Sequence, residues 1–178
     1  MEQDIVNIYF GDSIMYGLFD SEDGYVNRIN KKLNVYSFNL SIPGEDTTHL
    51  LERFEYEFLN RYNNIDIFNI FFGIGINDAR RNIDINTIEN NIRKLIKIAK
   101  QYSDNIYFLG LTKSLENGVM DNIIKVDNLI ENISKENSVR YIKLIDILED
   151  NDLYDGLHPN SIGHKKISEK ILKDAFHT

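Results

Sequence analysis

Short β-rich runs alternate with helix-patterned segments along the whole chain, and that alternation constrains the fold more than any other feature. Strands joined by helical crossovers form parallel sheets covered on both faces. Ile5 to Phe10, Tyr36 to Ile42, Ile65 to Phe72, Ile106 to Leu111 and Val139 to Ile145 read as five strands. The third is almost continuously apolar, the pattern of a central strand. Between the strands, Val26, Ile29 and Leu33 share one helical face, as do Leu50 or Leu51, Phe54 and Phe58. The clearest stripe is Ile85, Ile88, Ile92, Leu95, Ile96 and Ala99, with Arg93, Lys94, Lys97 and Lys100 opposite. Met120, Ile123, Ile124, Asp127, Ile130 and Ile133 mark a fourth helix with one polar intrusion. Ile167, Ile171, Leu172 and Ala175 mark the last. Thr47 and Ser161 stand where N-caps are expected.

Right-handed crossovers then dictate a three-layer α/β/α sandwich, expected as one domain over residues 1–178 with the flavodoxin-like strand order 2-1-3-4-5. That order sets the exits of strands one and three side by side at the switch point, with strand two beside strand one. Gly11-Asp12-Ser13, Pro43-Gly44 and the Gly75-Ile76-Asn77-Asp78 loop therefore converge.

A chain of 178 residues can bury a core without disulfides or metal. It has no cysteine, which excludes thiolate nucleophiles and Cys-based zinc sites and suits a reducing compartment. Met1-Glu2-Gln3-Asp4 lacks the basic start and long apolar core of a signal peptide, so the expected location is cytoplasmic. Asp66 and Asn69 interrupt the richest apolar stretch, so no membrane span is expected. A net charge of -8 without a basic stripe argues against nucleic acid as a partner. Oligomeric state leaves no mark on the sequence.

Ser13 stands at the carboxyl end of the first strand, where open α/β sheets build their ligand crevice. A serine hydroxyl becomes a nucleophile only with a base in reach, and the chain offers His49, His158, His164 and His177. Asp155 precedes His158 by three residues in a loop held by Gly156 and Pro159, close enough to fix the imidazole tautomer and leave its other nitrogen for Ser13. The other three read as surface or packing histidines. Three donors could hold a developing oxyanion: the N–H of Ser13, the N–H of Gly44 and the side-chain amide of Asn77. Taken singly, each of these segments is also an ordinary turn.

In order, Gly11-Asp12-Ser13, Asn39-Leu40-Ser41-Ile42-Pro43-Gly44, Gly75-Ile76-Asn77-Asp78 and Asp155-Gly156-Leu157-His158-Pro159-Asn160 resemble the four blocks of the SGNH, or GDSL-type, serine hydrolases. The resemblance spans nearly the whole chain and implies the same flavodoxin-like sandwich. It assigns Ser13 as nucleophile, His158 as base and Asp155 as its orienter, with Ser13, Gly44 and Asn77 forming the oxyanion hole. It implies an esterase working through an acyl-enzyme, with no cofactor and no metal, on a small-molecule or carbohydrate or lipid ester. The loops at Met15 to Gly24, Ala79 to Ile83, Thr112 to Val119 and Asp150 to Tyr154 are short, which favours an open site and a short acyl or O-acetyl group. Ile14 replaces the family leucine. Glu45-Asp46 places two charges beside Gly44, either to disfavour anionic acyl donors or as a solvated helix start. Arg80-Arg81 reads as a solvated pair, or as a holder of a substrate carboxylate or phosphate. Two alternatives remain: a non-catalytic flavodoxin-like binding module, although no phosphate loop of the Gly-x-x-x-x-Gly-Lys type is present, and a lyase or acyltransferase using the same triad.

Overall fold

Alternate side chains of a strand face opposite ways, and in the three central strands both directions are mostly apolar and buried. In the computed structural model, which describes residues 5–22, 24–62 and 67–177, the strands β1 (Ile5–Gly11), β2 (Tyr36–Asn39), β3 (Ile67–Gly73), β4 (Asn105–Leu109) and β5 (Arg140–Ile142) pair in parallel. Their order is β2-β1-β3-β4-β5, as expected from the sequence. Met1 to Asp4, Asp23, and Ile65 with Asp66 lie outside the described residues.

The helices are α1 (Ser13–Tyr16), α2 (Gly24–Leu33), α3 (Thr47–Leu59), α4 (Ile76–Arg80), α5 (Ile85–Ala99), α6 (Met120–Glu136) and α7 (Ser161–Phe176), with one 3-10 turn at Asp150–Asp152. On one sheet face Phe10 and Phe72 meet Phe54 of α3, and Phe72 stacks on Phe108 at 4.9 Å. On the other, Phe71 stacks between Tyr9 and Tyr107, and Phe176 of α7 packs against it. Each layer thus closes on a row of aromatic rings from neighbouring strands. Among the described residues no helix is long and apolar enough to cross a membrane.

Several boundaries differ from expectation for local reasons. β2 stops at Asn39, because the Asn39 side chain accepts the Ser41 N–H and donates to the Met15 carbonyl. Pairing nevertheless persists beyond it, with Leu40 N–H on Tyr9 O and Ile42 N–H on Gly11 O. β4 ends at Leu109, since the Leu111 N–H turns to Asp127 Oδ1 at 2.7 Å. The polar intrusion on α6 is this carboxylate, which also accepts from the Tyr141 hydroxyl. Val126 rather than Ile124 completes the buried stripe of α6. β5 covers only Arg140–Ile142 of the expected run. The N-caps are Asp46 and Asn160, one residue before Thr47 and Ser161. Thr47 is freed to donate its hydroxyl to Asp78 Oδ1 at 2.5 Å, and Ser161 to donate to Asp20 Oδ1 at 2.8 Å. Ser13 and Asn77, expected in loops, instead lie in the short helices α1 and α4.

Candidate active site

β1 and β3 end level with each other, Gly11 opposite Gly73. The Asp12 N–H donates to Gly73 O, which ties the first turn after β1 to its neighbour. A Cβ on Gly11 would lie 2.5 Å from Gly73 O and 2.7 Å from Met15 Sδ, so only glycine allows this close approach. Asp12 caps α1 by accepting the Ile14 N–H at 2.9 Å. Ser13 is consequently the first residue of that helix, with an N–H that has no intrahelical acceptor.

Ser13 Oγ lies 2.9 Å from His158 Nε2, and His158 Nδ1 lies 2.8 Å from Asp155 Oδ2. Asp155 Oδ1 also accepts the N–H groups of Leu157 and His158, at 3.1 and 2.8 Å. Burial pushes the Asp155 carboxyl up, but these bonds and the imidazole outweigh it and hold its pKa below the ordinary value. The loop is pinned at both sides by the Leu153 to Pro159 bridge and by Tyr154 N–H on His158 O at 2.7 Å. Gly156 takes the turn at φ +88°.

The other two blocks are stapled together. Gly44 adopts φ +81°, and among the described residues its N–H has no partner. Asn77 Nδ2 donates to Glu45 O at 2.9 Å, which leaves its second amide hydrogen available. Beside it, the Asp78 carboxylate accepts the Thr47 N–H and hydroxyl. Burial raises the Asp78 pKa despite those two donors.

The charges flagged near Gly44 are not solvated. Glu45 is buried against Arg53, and Asp46 against Arg81 and His49. The arginine pair is likewise engaged within the protein: Arg81 also donates to Gly44 O at 2.8 Å, and Arg80 grips Glu116 through two bonds of 2.6 Å. Arg80 Nη1 lies 3.4 Å from Asn77 Oδ1, the oxygen of the same amide.

Sequence reasoning missed two features, the burial of Asp12 and the Phe19 stack, and left a third, His164, between surface and packing. Asp12 is buried, and desolvation pushes its pKa up to about 7, assisted by the charges of Asp78 and Glu45 and resisted by the Ile14 N–H. His164 is fully buried beside the Tyr25 ring, and among the described residues neither ring nitrogen has a partner. Burial pushes its pKa down to about 4. Phe19 stacks on Tyr154 beside His158. The helical spacing of His164 with Ile167 and Ile171 was the available signal for its burial; Asp12 carried none, since a capping aspartate is usually solvated.

The model of the GDSL-like lipase/acylhydrolase family matches residues 9–166. The chain belongs to this family. It is a carboxylic ester hydrolase. Its sandwich is similar to Axe2, an acetylxylan esterase from Geobacillus stearothermophilus, at 17% identity over 99% of this chain and 97% of that one, with a TM-score of 0.80. It is also similar to LAE5, an alpha/beta hydrolase from the metagenome of Lake Arreo, Spain, at 16% identity over 98% and 96%, with a TM-score of 0.81. No curated protein sequence matches the chain significantly.

Proposed function

We propose that this family member hydrolyses esters of short acyl groups, acetyl esters foremost, through an acyl-enzyme on Ser13. The observation that carries the reading is the continuous chain from Ser13 Oγ through both nitrogens of His158 to Asp155, with links of 2.9 and 2.8 Å. Ser13 Oγ attacks the ester carbonyl carbon as its proton passes to Nε2. Asp155 holds the imidazolium that results and orients the ring. The carbonyl oxygen, now negative, is received by the N–H groups of Ser13 and Gly44 and the free amide hydrogen of Asn77. The tetrahedral adduct collapses, the bond to the alcohol oxygen breaks, and the leaving alkoxide takes the proton from His158. Water then attacks the acyl-enzyme with His158 again as base, which releases the acid and restores Ser13. A fold similar to an acetylxylan esterase supports the preference for acetyl.

Mass spectrometry after treatment with a fluorophosphonate should find one adduct, on the peptide containing Ser13. An adduct on another residue, or full ester hydrolysis by fully labelled protein, would overturn the reading. The oxyanion role of Asn77 has its own consequence. Asn77→Ala should lower kcat for an acetyl ester on the order of 100-fold or more with little change in KM, because the donor acts where charge develops. Glu45 O accepts from this amide, and Arg80, itself held by Glu116, donates to its Oδ1, so its geometry is preset. A parallel rise in KM with kcat preserved would remove Asn77 from the oxyanion hole.

A further inference from the structure

We propose that the Phe19 and Tyr154 rings form the subsite for the alcohol half of the ester, and that the alcohol they receive is a sugar ring. The inference rests on the reading of Ser13 and His158 above and adds to it the substrate class. The two rings come from opposite ends of the chain, Phe19 from the turn after α1 and Tyr154 from the residue before Asp155. They stack with centroids 4.6 Å apart and planes 15° from parallel. Phe19 also meets the His158 ring edge-on, at 5.3 Å and 72°. The leaving alkoxide takes its proton from His158, so the alcohol must lie within reach of whatever touches that ring.

These rings are not core. Phe19 is 47% and Tyr154 64% exposed, whereas the stacked rings of the sheet faces are buried. Phe19 also holds φ at +65°, a left-handed backbone that an aromatic residue seldom adopts. The turn that imposes it is anchored firmly. Leu18 N–H donates to Ser13 O at 3.0 Å and Asp20 N–H to Gly17 O at 3.2 Å. The Asp20 carboxylate is held by Arg28 at 3.0 Å and by the Ser161 hydroxyl at 2.8 Å. Strain that surrounding bonds sustain tends to collect where a ligand is received, and here it presents a ring to solvent instead of burying it. The turn that fixes Phe19 is continuous with the one that fixes Ser13.

Flat, rigid aromatic faces suit the C–H face of a pyranose, leaving its hydroxyls in water around the rim. A flexible alkyl alcohol would gain less from a surface this open, because it must lose rotational freedom to lie flat. An aryl alcohol is the main competitor and belongs in the test.

The test compares kcat/KM for a monoacetylated methyl pyranoside, ethyl acetate and phenyl acetate in wild-type protein, Tyr154→Ala and Tyr154→Phe. Tyr154 is exposed, so its loss should leave the fold intact. In wild type the pyranoside ester should be a better substrate than ethyl acetate, and phenyl acetate, which carries the better leaving group, is read only through its response to the substitution. In Tyr154→Ala the ratio of pyranoside to ethyl acetate should fall at least tenfold, mainly through KM for the pyranoside. Tyr154→Phe keeps the ring and should restore the ratio. A ratio unchanged in Tyr154→Ala, or a ratio of phenyl acetate to ethyl acetate that falls further than the pyranoside ratio does, overturns the subsite. Ethyl acetate hydrolysis by wild type, abolished by the fluorophosphonate, reports separately on Ser13. If it is absent, that reading falls and the subsite with it; if it is present with an unchanged ratio, only the subsite falls.

Discussion

Ser13→Ala should lower kcat/KM for acetyl esters by about 10⁴-fold or more, since no other group at this position can form the acyl-enzyme. His158→Ala should cost nearly as much, and the double variant little more than either single one. Hydroxyl and imidazole act as a unit, so removing one leaves nothing for the other to assist. The loss should be chemical rather than structural. Asp12 still caps α1 through the Ile14 N–H, and Asp155 still holds His158 through ring and backbone. Thermal unfolding of Ser13→Ala should therefore track wild type within a few degrees. Initial-rate kinetics on an acetyl ester, with the unfolding curve as control, decide the matter. Activity within tenfold of wild type in a folded Ser13→Ala protein would end the assignment.

Asp12→Asn should reverse part of the pH dependence of stability. The Asp12 pKa stands at about 7 in the folded protein, against an ordinary value of 3.8, because the carboxyl is buried and faces the negative Asp78 and Glu45. The folded protein therefore keeps a proton that the unfolded chain releases between those two values. The stabilisation is fully present below pH 3.8 and is lost as the pH rises through 7. Asparagine stays neutral throughout and still caps α1, so it forgoes that loss. Measured by urea unfolding, Asp12→Asn should gain on wild type by about 4 kcal/mol between pH 4 and pH 8, with most of the change complete by pH 7.

His164 works in the opposite sense. Its folded pKa of about 4 lies below the ordinary 6.5, so the unfolded chain takes up a proton first and stability is lost as the pH falls through that window. That contribution is common to both proteins and cancels in their difference. A difference between wild type and Asp12→Asn that is constant from pH 4 to pH 8 would mean that Asp12 is ionised throughout.

Local pattern alone determined the five strands, the five long amphipathic helices, the strand order and three of the segments that meet at the switch point. The reason is that buried β-rich runs and 3.6-residue stripes are properties of neighbouring residues, and right-handed crossovers leave few ways to arrange them. Helix starts were placed one residue late, because at both Asp46-Thr47 and Asn160-Ser161 the sequence offers two adjacent capping side chains. Only the fold shows that Thr47 and Ser161 have distant partners in Asp78 and Asp20.

The charges beside Gly44 were left open for the same reason. Glu45 and Asp46 look like a solvated helix start until Arg53 and Arg81 are brought to them, while Arg80 and Arg81 themselves stay exposed, paired with Glu116 and Asp46. What Ser13 and His158 could do chemically was legible from residue type and order. The tertiary structure alone decided their 2.9 Å approach across 145 residues, the burial of Asp12 and the meeting of Phe19 with Tyr154. Distance, desolvation and stacking belong to pairs of residues that the chain holds far apart, and folding alone makes them neighbours.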